Sequence, residues 1–256
     1  MSITWSHWWP SRRRHRTPGP LLDELVQRLT GVLGPDLRAI VLYGSAASGH
    51  FHPRTSNLNL LIVTASQTAG QRERLRPFAR AWLRHGVGLP LFLAEAEFRE
   101  WSRSFPVEFL DIQAHHRVLA GPDIIATITV DMARLQWQCE AELRGKLLRL
   151  RQTAVADPPA AELRRILERS LTSLFPLLRG LLRLRGNAAP LKREALVPAM
   201  AQALGMSTQA FDGVLQLKTH SKRLSRAALR ELLAQHLAAL EQLIVEADRF
   251  GPPPHA

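Results

Sequence analysis

The chain is poor in several things, and each scarcity excludes something. One cysteine, Cys139, rules out an intrachain disulfide framework and any multi-cysteine zinc site. No run of 18 or more apolar residues occurs, so no segment reads as a membrane span. The N-terminal arginines Arg12, Arg13, Arg14 and Arg16 are not followed by an apolar stretch of the kind a secretory signal needs, which predicts a cytoplasmic protein. Acidic residues are outnumbered, 22 against 34 Lys+Arg, for a net charge of +12, and only four of the basic residues are lysines. What is plentiful is ordinary: 46% hydrophobic and 22% charged residues over 256 positions, enough to bury a sizeable core in one large domain or two small ones.

The positive charge is unevenly spread. Residues 1–20 carry four arginines and no acid. Residues 21–130 are nearly balanced, 11 basic against 10 acidic, whereas residues 131–256 carry 19 against 12, a net of +7. A basic C-terminal half attracts phosphates, of a nucleotide or of a nucleic acid, or simply presents solvated helix faces.

The texture of the chain changes along its length in the same way. Residues 1–18 lack periodicity and read as a disordered basic tail. Residues 20–33 place leucines at helical spacing and stop at Gly34-Pro35. The run 37–43 (LRAIVLY) reads as a buried strand and 58–63 (LNLLIV) as a second, with one or two helical turns predicted over 45–49. A helix is expected over 70–85, a third strand over 88–94 and a fourth over 107–112 (VEFLDI). Beyond Asp131 only leucine-rich helical spacing remains: 131–152, 160–185 with a kink at Pro176, 192–204, 207–218 and 225–248. The prediction is an α+β protein, a small mixed-sheet domain over 19–128 followed by an all-α domain over 129–250.

The chemistry concentrates in residues 37–63, a strand, Gly44-Ser45, a loop and a second strand. Glycine permits close backbone approach, and the N–H groups of the following turn, with the Ser45 hydroxyl, can donate to phosphate oxygens. Asn57 and Asn59 alternate at the start of the next strand, so both amides are expected to face the Gly-Ser turn.

This arrangement resembles the nucleotidyltransferase superfamily, which includes DNA polymerase beta, kanamycin nucleotidyltransferase and the minimal nucleotidyltransferases. Its pattern is Gly-Ser, a short spacer and Asp-x-Asp on the next strand. Residues 105–123 (FPVEFLDIQAHHRVLAGPD) and 142–152 (ELRGKLLRLRQ) are similar to segments of bacterial proteins carrying that domain. The resemblance implies a nucleoside triphosphate with magnesium as cofactor, a nucleotide or phosphorylated small molecule as partner, and a helical domain whose arginines, Arg144 among them, meet phosphates. In active members two aspartates hold two magnesium ions, and here Asn57 and Asn59 stand in their places. An amide supplies no negative charge, so magnesium binding is expected to be weak or absent. The basic residue that follows Gly-Ser in the family is replaced by Ser48.

Three readings follow. The first is a catalytically degenerate fold that binds nucleotide through Gly44, Ser45 and Ser48. The second is a working transferase that draws carboxylates from Glu108 or Asp111. The third is a basic partner of nucleic acid acting through its C-terminal helices. Side observations carry plainer meanings: His50 and His52 read as surface-loop residues, one of His115 and His116 as core and the other as solvent-facing, and Cys139 as a buried small hydrophobe.

Overall fold

A computed structural model describes residues 18–49, 57–84, 87–190, 192–219 and 224–249. One compact unit ends at Val130 and a second begins at Asp131.

The first unit is built on a four-stranded mixed sheet. Helix α1 (Pro18–Leu33) leads into β1 (Leu37–Tyr43), followed by β2 (Asn59–Thr64), α2 (Ala69–Arg84), β3 (Leu91–Ala94), α3 (Glu95–Ser104), α4 (Pro106–Ala114) and β4 (His116–Ala120). The sheet order is β3-β2-β1-β4, with β2 and β4 antiparallel to β1 and β3 parallel to β2. Strand alternation sorts the apolar residues onto two faces. Ile40, Leu42, Leu60 and Ile62 pack against the leucine stripe of α1 and Trp82 of α2. Ala39, Val41, Leu61, Val63 and Leu93 pack against Phe98 of α3 and Phe109 and Ile112 of α4, the two phenylalanines meeting edge to face at 5.5 Å. A sheet covered on both faces explains why β1 and β2 read as continuous apolar runs in the sequence.

The structure departs from the sequence reading at several points. Residues 107–112 are not a strand; they lie in α4. Pro106 opens that helix, where a fixed φ and a missing N–H cost nothing, and Pro106, Phe109 and Ile112 recur every three residues on its buried side. The strand that does follow is His116–Ala120, which pairs Tyr43 with His116 and Val41 with Val118. The turns expected over 45–49 contract to one 3-10 turn at Gly44–Ala46. The third strand begins at Leu91 rather than at residue 88, and α3, not foreseen, starts where the Glu97 carboxylate accepts the Ala94 N–H at 2.8 Å.

The second unit is helical: α5 (Met132–Ala156), α6 (Ala160–Leu184), α7 (Arg193–Leu204), α8 (Gln209–Thr219) and α9 (Arg226–Asp248). Asp131 caps α5 by accepting the Ala133 and Arg134 N–H groups. Helix α6 continues through Pro176. The expected leucine stripe of α9 is core at Leu229, Leu232, Leu233, Leu240 and Leu243, and Cys139 of α5 is fully buried. No helix among the described residues is long and apolar enough to cross a membrane.

Candidate functional site

The end of β1 builds the site. Gly44 has φ +78°, a conformation open to glycine and strained for other residues. Its N–H donates to the His115 carbonyl at 2.9 Å, which ties the turn to the strand entry of β4. Its carbonyl accepts the N–H groups of Ala47 and Ser48 at 3.0 and 3.1 Å, and the Ser48 hydroxyl donates to the Ser45 carbonyl at 3.2 Å. The turn is thereby closed on itself. As the first residue after Gly44 in this 3-10 turn, Ser45 has an N–H at the turn's N-terminal end, where helical bonding gives it no partner of its own.

Asn59 pairs with Tyr43 across the β1–β2 ladder. Its amide is lodged between two glycines. A methyl group on Gly44 would lie 3.2 Å from Asn59 Nδ2, and one on Gly88 would lie 3.3 Å from Asn59 Oδ1. The donor end of the amide thus faces the Gly44–Ser45 turn. Asn57 lies half-buried two positions earlier, with the fully buried Leu58 between them. The structure therefore brings Gly44, Ser45, Ser48 and Asn59 together at one end of the sheet.

Glu108 and Asp111 are three residues apart on a helix, so they share a side of α4, which a strand would not have allowed. Both reach Tyr43. Burial pushes the Tyr43 hydroxyl well above the usual phenol range, and the charges of Asp111 and then Glu108 push it further. Tyr43 is the residue opposite Asn59, so these two carboxylates act at the edge of the site. Sequence reasoning missed Tyr43 and Gly88, because only the strand register places them against Asn59.

The other candidates sit elsewhere. His115 is buried, with Nδ1 3.3 Å from the Asp111 carbonyl, and His116 Nε2 lies 3.2 Å from the Asp123 carboxylate. His50 and His52 fall outside the described residues, as does the tail over 1–17. Arg144 belongs to α5 of the second unit, where it meets Glu140 at 3.2 Å and Asp248 of α9 at 2.6 Å. Arg151 and Arg185 likewise meet Glu241 and Glu246 of α9, at 2.7 and 2.8 Å.

The donor set does not fit a two-metal centre. Hard divalent cations call for anionic oxygen ligands, and β2 offers two neutral amides. Strand β3 lies parallel beside β2 with Leu91 opposite Leu61, and the residue beside Asn59 on that side is Gly88, so no acid of β3 faces Asn59. Glu95, the first acid after β3, pairs with Arg38 at 3.5 Å, at the far end of β1. Among the described residues no group of three or more His, Cys, Asp or Glu side chains is arranged to hold a metal.

No protein-family model matches the sequence, and no curated protein does. The likeness lies in the fold. Spectinomycin adenyltransferase AAD(9) from Enterococcus faecialis, solved with ATP and spectinomycin, superimposes with a TM-score of 0.56 over 87% of this chain and 99% of its own, at 11% identity. The chain has a nucleotidyltransferase fold. At that identity the likeness concerns architecture, a small mixed sheet followed by helices, and leaves the chemistry to this chain's own residues.

Proposed function

We propose that this protein binds a nucleotide, or another phosphorylated small molecule, at the Gly44–Ser45 turn, and that it has lost ordinary two-metal nucleotidyl transfer. In this reading the Ser45 hydroxyl and the N–H groups of Ser45 and Ala46 donate to phosphate oxygens, Ser48 stiffens the turn, and Asn57 and Asn59 orient the ligand. The observation that carries it is the Asn59 amide seated against Gly44, which sets a neutral side chain beside the turn where the family resemblance implies a carboxylate. The fold neighbour, which was solved with ATP, supports a nucleotide as ligand. Because electrostatic stabilisation is usually the largest catalytic contribution, losing two carboxylates at once removes the transfer reaction before it removes the pocket.

Calorimetric titration with ATP and CTP tests this. Heat that saturates with a folded protein, and disappears with Ser45→Ala combined with Asn59→Ala, is the expected result. No heat at millimolar nucleotide would leave the fold a scaffold only.

A second reading, a working transferase, is favoured by the charges of Asp111 and Glu108 acting on Tyr43, the residue opposite Asn59. It requires metal-dependent pyrophosphate release that Asp111→Ala or Glu108→Ala abolishes.

A further inference from the structure

We infer that the ligand's phosphate groups enter this site bare, without an accompanying divalent cation, so that the protein recognises a free polyphosphate ester where its fold relatives would take a magnesium complex. The inference rests on the nucleotide-binding reading above and specifies the chemical form of the ligand.

The argument is one of donors and acceptors. A magnesium–triphosphate complex presents its cation to the protein and needs oxygen ligands, preferably anionic, to receive it. A bare triphosphate presents only acceptors and needs N–H and O–H groups. Around the turn the groups are of the second kind. Ser45 contributes a hydroxyl and an N–H at the start of the 3-10 turn, and Asn59 directs its Nδ2 toward Gly44 while its oxygen faces Gly88. Gly44 keeps the backbone open to close approach. The neighbouring strand, Leu91–Ala94, adds no acid, and the residue beside Asn59 on that side is Gly88. The acids that could restore a cation site are Glu108 and Asp111, and they enter the test for that reason.

The experiment is calorimetric titration of the full chain with ATP, inorganic triphosphate and adenosine, each in excess EDTA and in excess magnesium. ATP and triphosphate are expected to bind in EDTA at least as tightly as in magnesium, and adenosine much more weakly. Asn57→Asp combined with Asn59→Asp should weaken ATP binding in EDTA by at least about tenfold and make it magnesium-dependent, because each new carboxylate repels a bare phosphate. Asp111→Asn should leave binding in EDTA unchanged or tighten it. ATP binding tighter in magnesium by about tenfold or more, or lost with Asp111→Asn, overturns the inference and leaves the nucleotide-binding reading standing. Adenosine binding as tightly as ATP overturns the inference as well, since the phosphates then contribute nothing. No binding in either medium, by protein whose circular dichroism matches the native helical content, removes both.

Discussion

Gly44→Ala is the sharpest probe of the site's geometry, and its cost can be worked out from two contributions. The first is conformational. At φ +78° an alanine pays about 1–2 kcal/mol that glycine does not. The second is steric. The new methyl group would stand 3.2 Å from Asn59 Nδ2, and the amide must yield by a few tenths of an ångström, adding less than about 1 kcal/mol. The sum is about 1–3 kcal/mol, read as a lowered urea midpoint at unchanged slope. Combining it with Asn59→Ala should remove the steric part and leave the conformational part, so the pair is coupled and the double variant is less destabilised than the two singles added. Gly121→Ala supplies the scale. There φ is +80° and the methyl would lie 2.0 Å from the Arg38 carbonyl oxygen, a backbone atom that cannot swing aside. The β1–β4 ladder would have to open, at a cost about 2 kcal/mol or more above that of Gly44→Ala. A Gly44→Ala protein as stable as the parent would refute the placement of the site end of β1, and a Gly121→Ala protein no worse than Gly44→Ala would refute that of its opposite end.

Two further outcomes concern the helical unit. His236 is fully buried, edge to face with Phe211 at 5.9 Å and with Nε2 3.1 Å from the Ser170 hydroxyl, and burial lowers its pKa to about 4 from the ordinary 6.5. The unfolded chain therefore takes up a proton that the folded chain declines, so stability falls as pH drops from 6.5 toward 4, by up to about 3 kcal/mol, and His236→Gln should flatten that part of the urea-midpoint profile. Gly180→Ala would push a methyl to 2.8 Å from the Cys139 sulfur and 3.4 Å from Leu135 Cδ1, at a cost of about 1–3 kcal/mol that Cys139→Ala should partly relieve, while Cys139 itself reacts with a thiol reagent only after unfolding.

The fold was legible where burial is two-sided or strictly periodic. Runs 37–43 and 58–63 are apolar except at Arg38 and Asn59 and buried along most of their length, and the leucine spacing of 160–185 and 225–248 admits one reading. It was illegible where a short apolar segment satisfies two periods at once. Val107, Phe109 and Asp111 alternate as a strand would, yet Pro106, Phe109 and Ile112 also recur every three residues, and the structure uses the second pattern. The deciding signal was local: a proline that can open a helix. His116–Ala120 was overlooked because its strand is only five residues long and is half-buried along most of its length, so it lacks the apolar run that marks β1 and β2.

The site divides along the same line. Gly44, Ser45 and Asn59 were readable because the elements that hold them are consecutive and their spacing is short. Gly88, Tyr43, Asp111 and Glu108 enter only through the register of three strands and the helical state of 106–114, which no local pattern encodes. That difference bears on function. A carboxylate pair on a strand would point to opposite faces and could not converge on one group. On α4 the two acids share a side and both raise the Tyr43 hydroxyl, beside amides that carry no charge. Asn57 and Asn59 carry no charge, and the negative charge near Tyr43 stands on α4. A transferase needs that charge at the phosphates to hold its metals, whereas a receptor for a bare anion is better off with it removed.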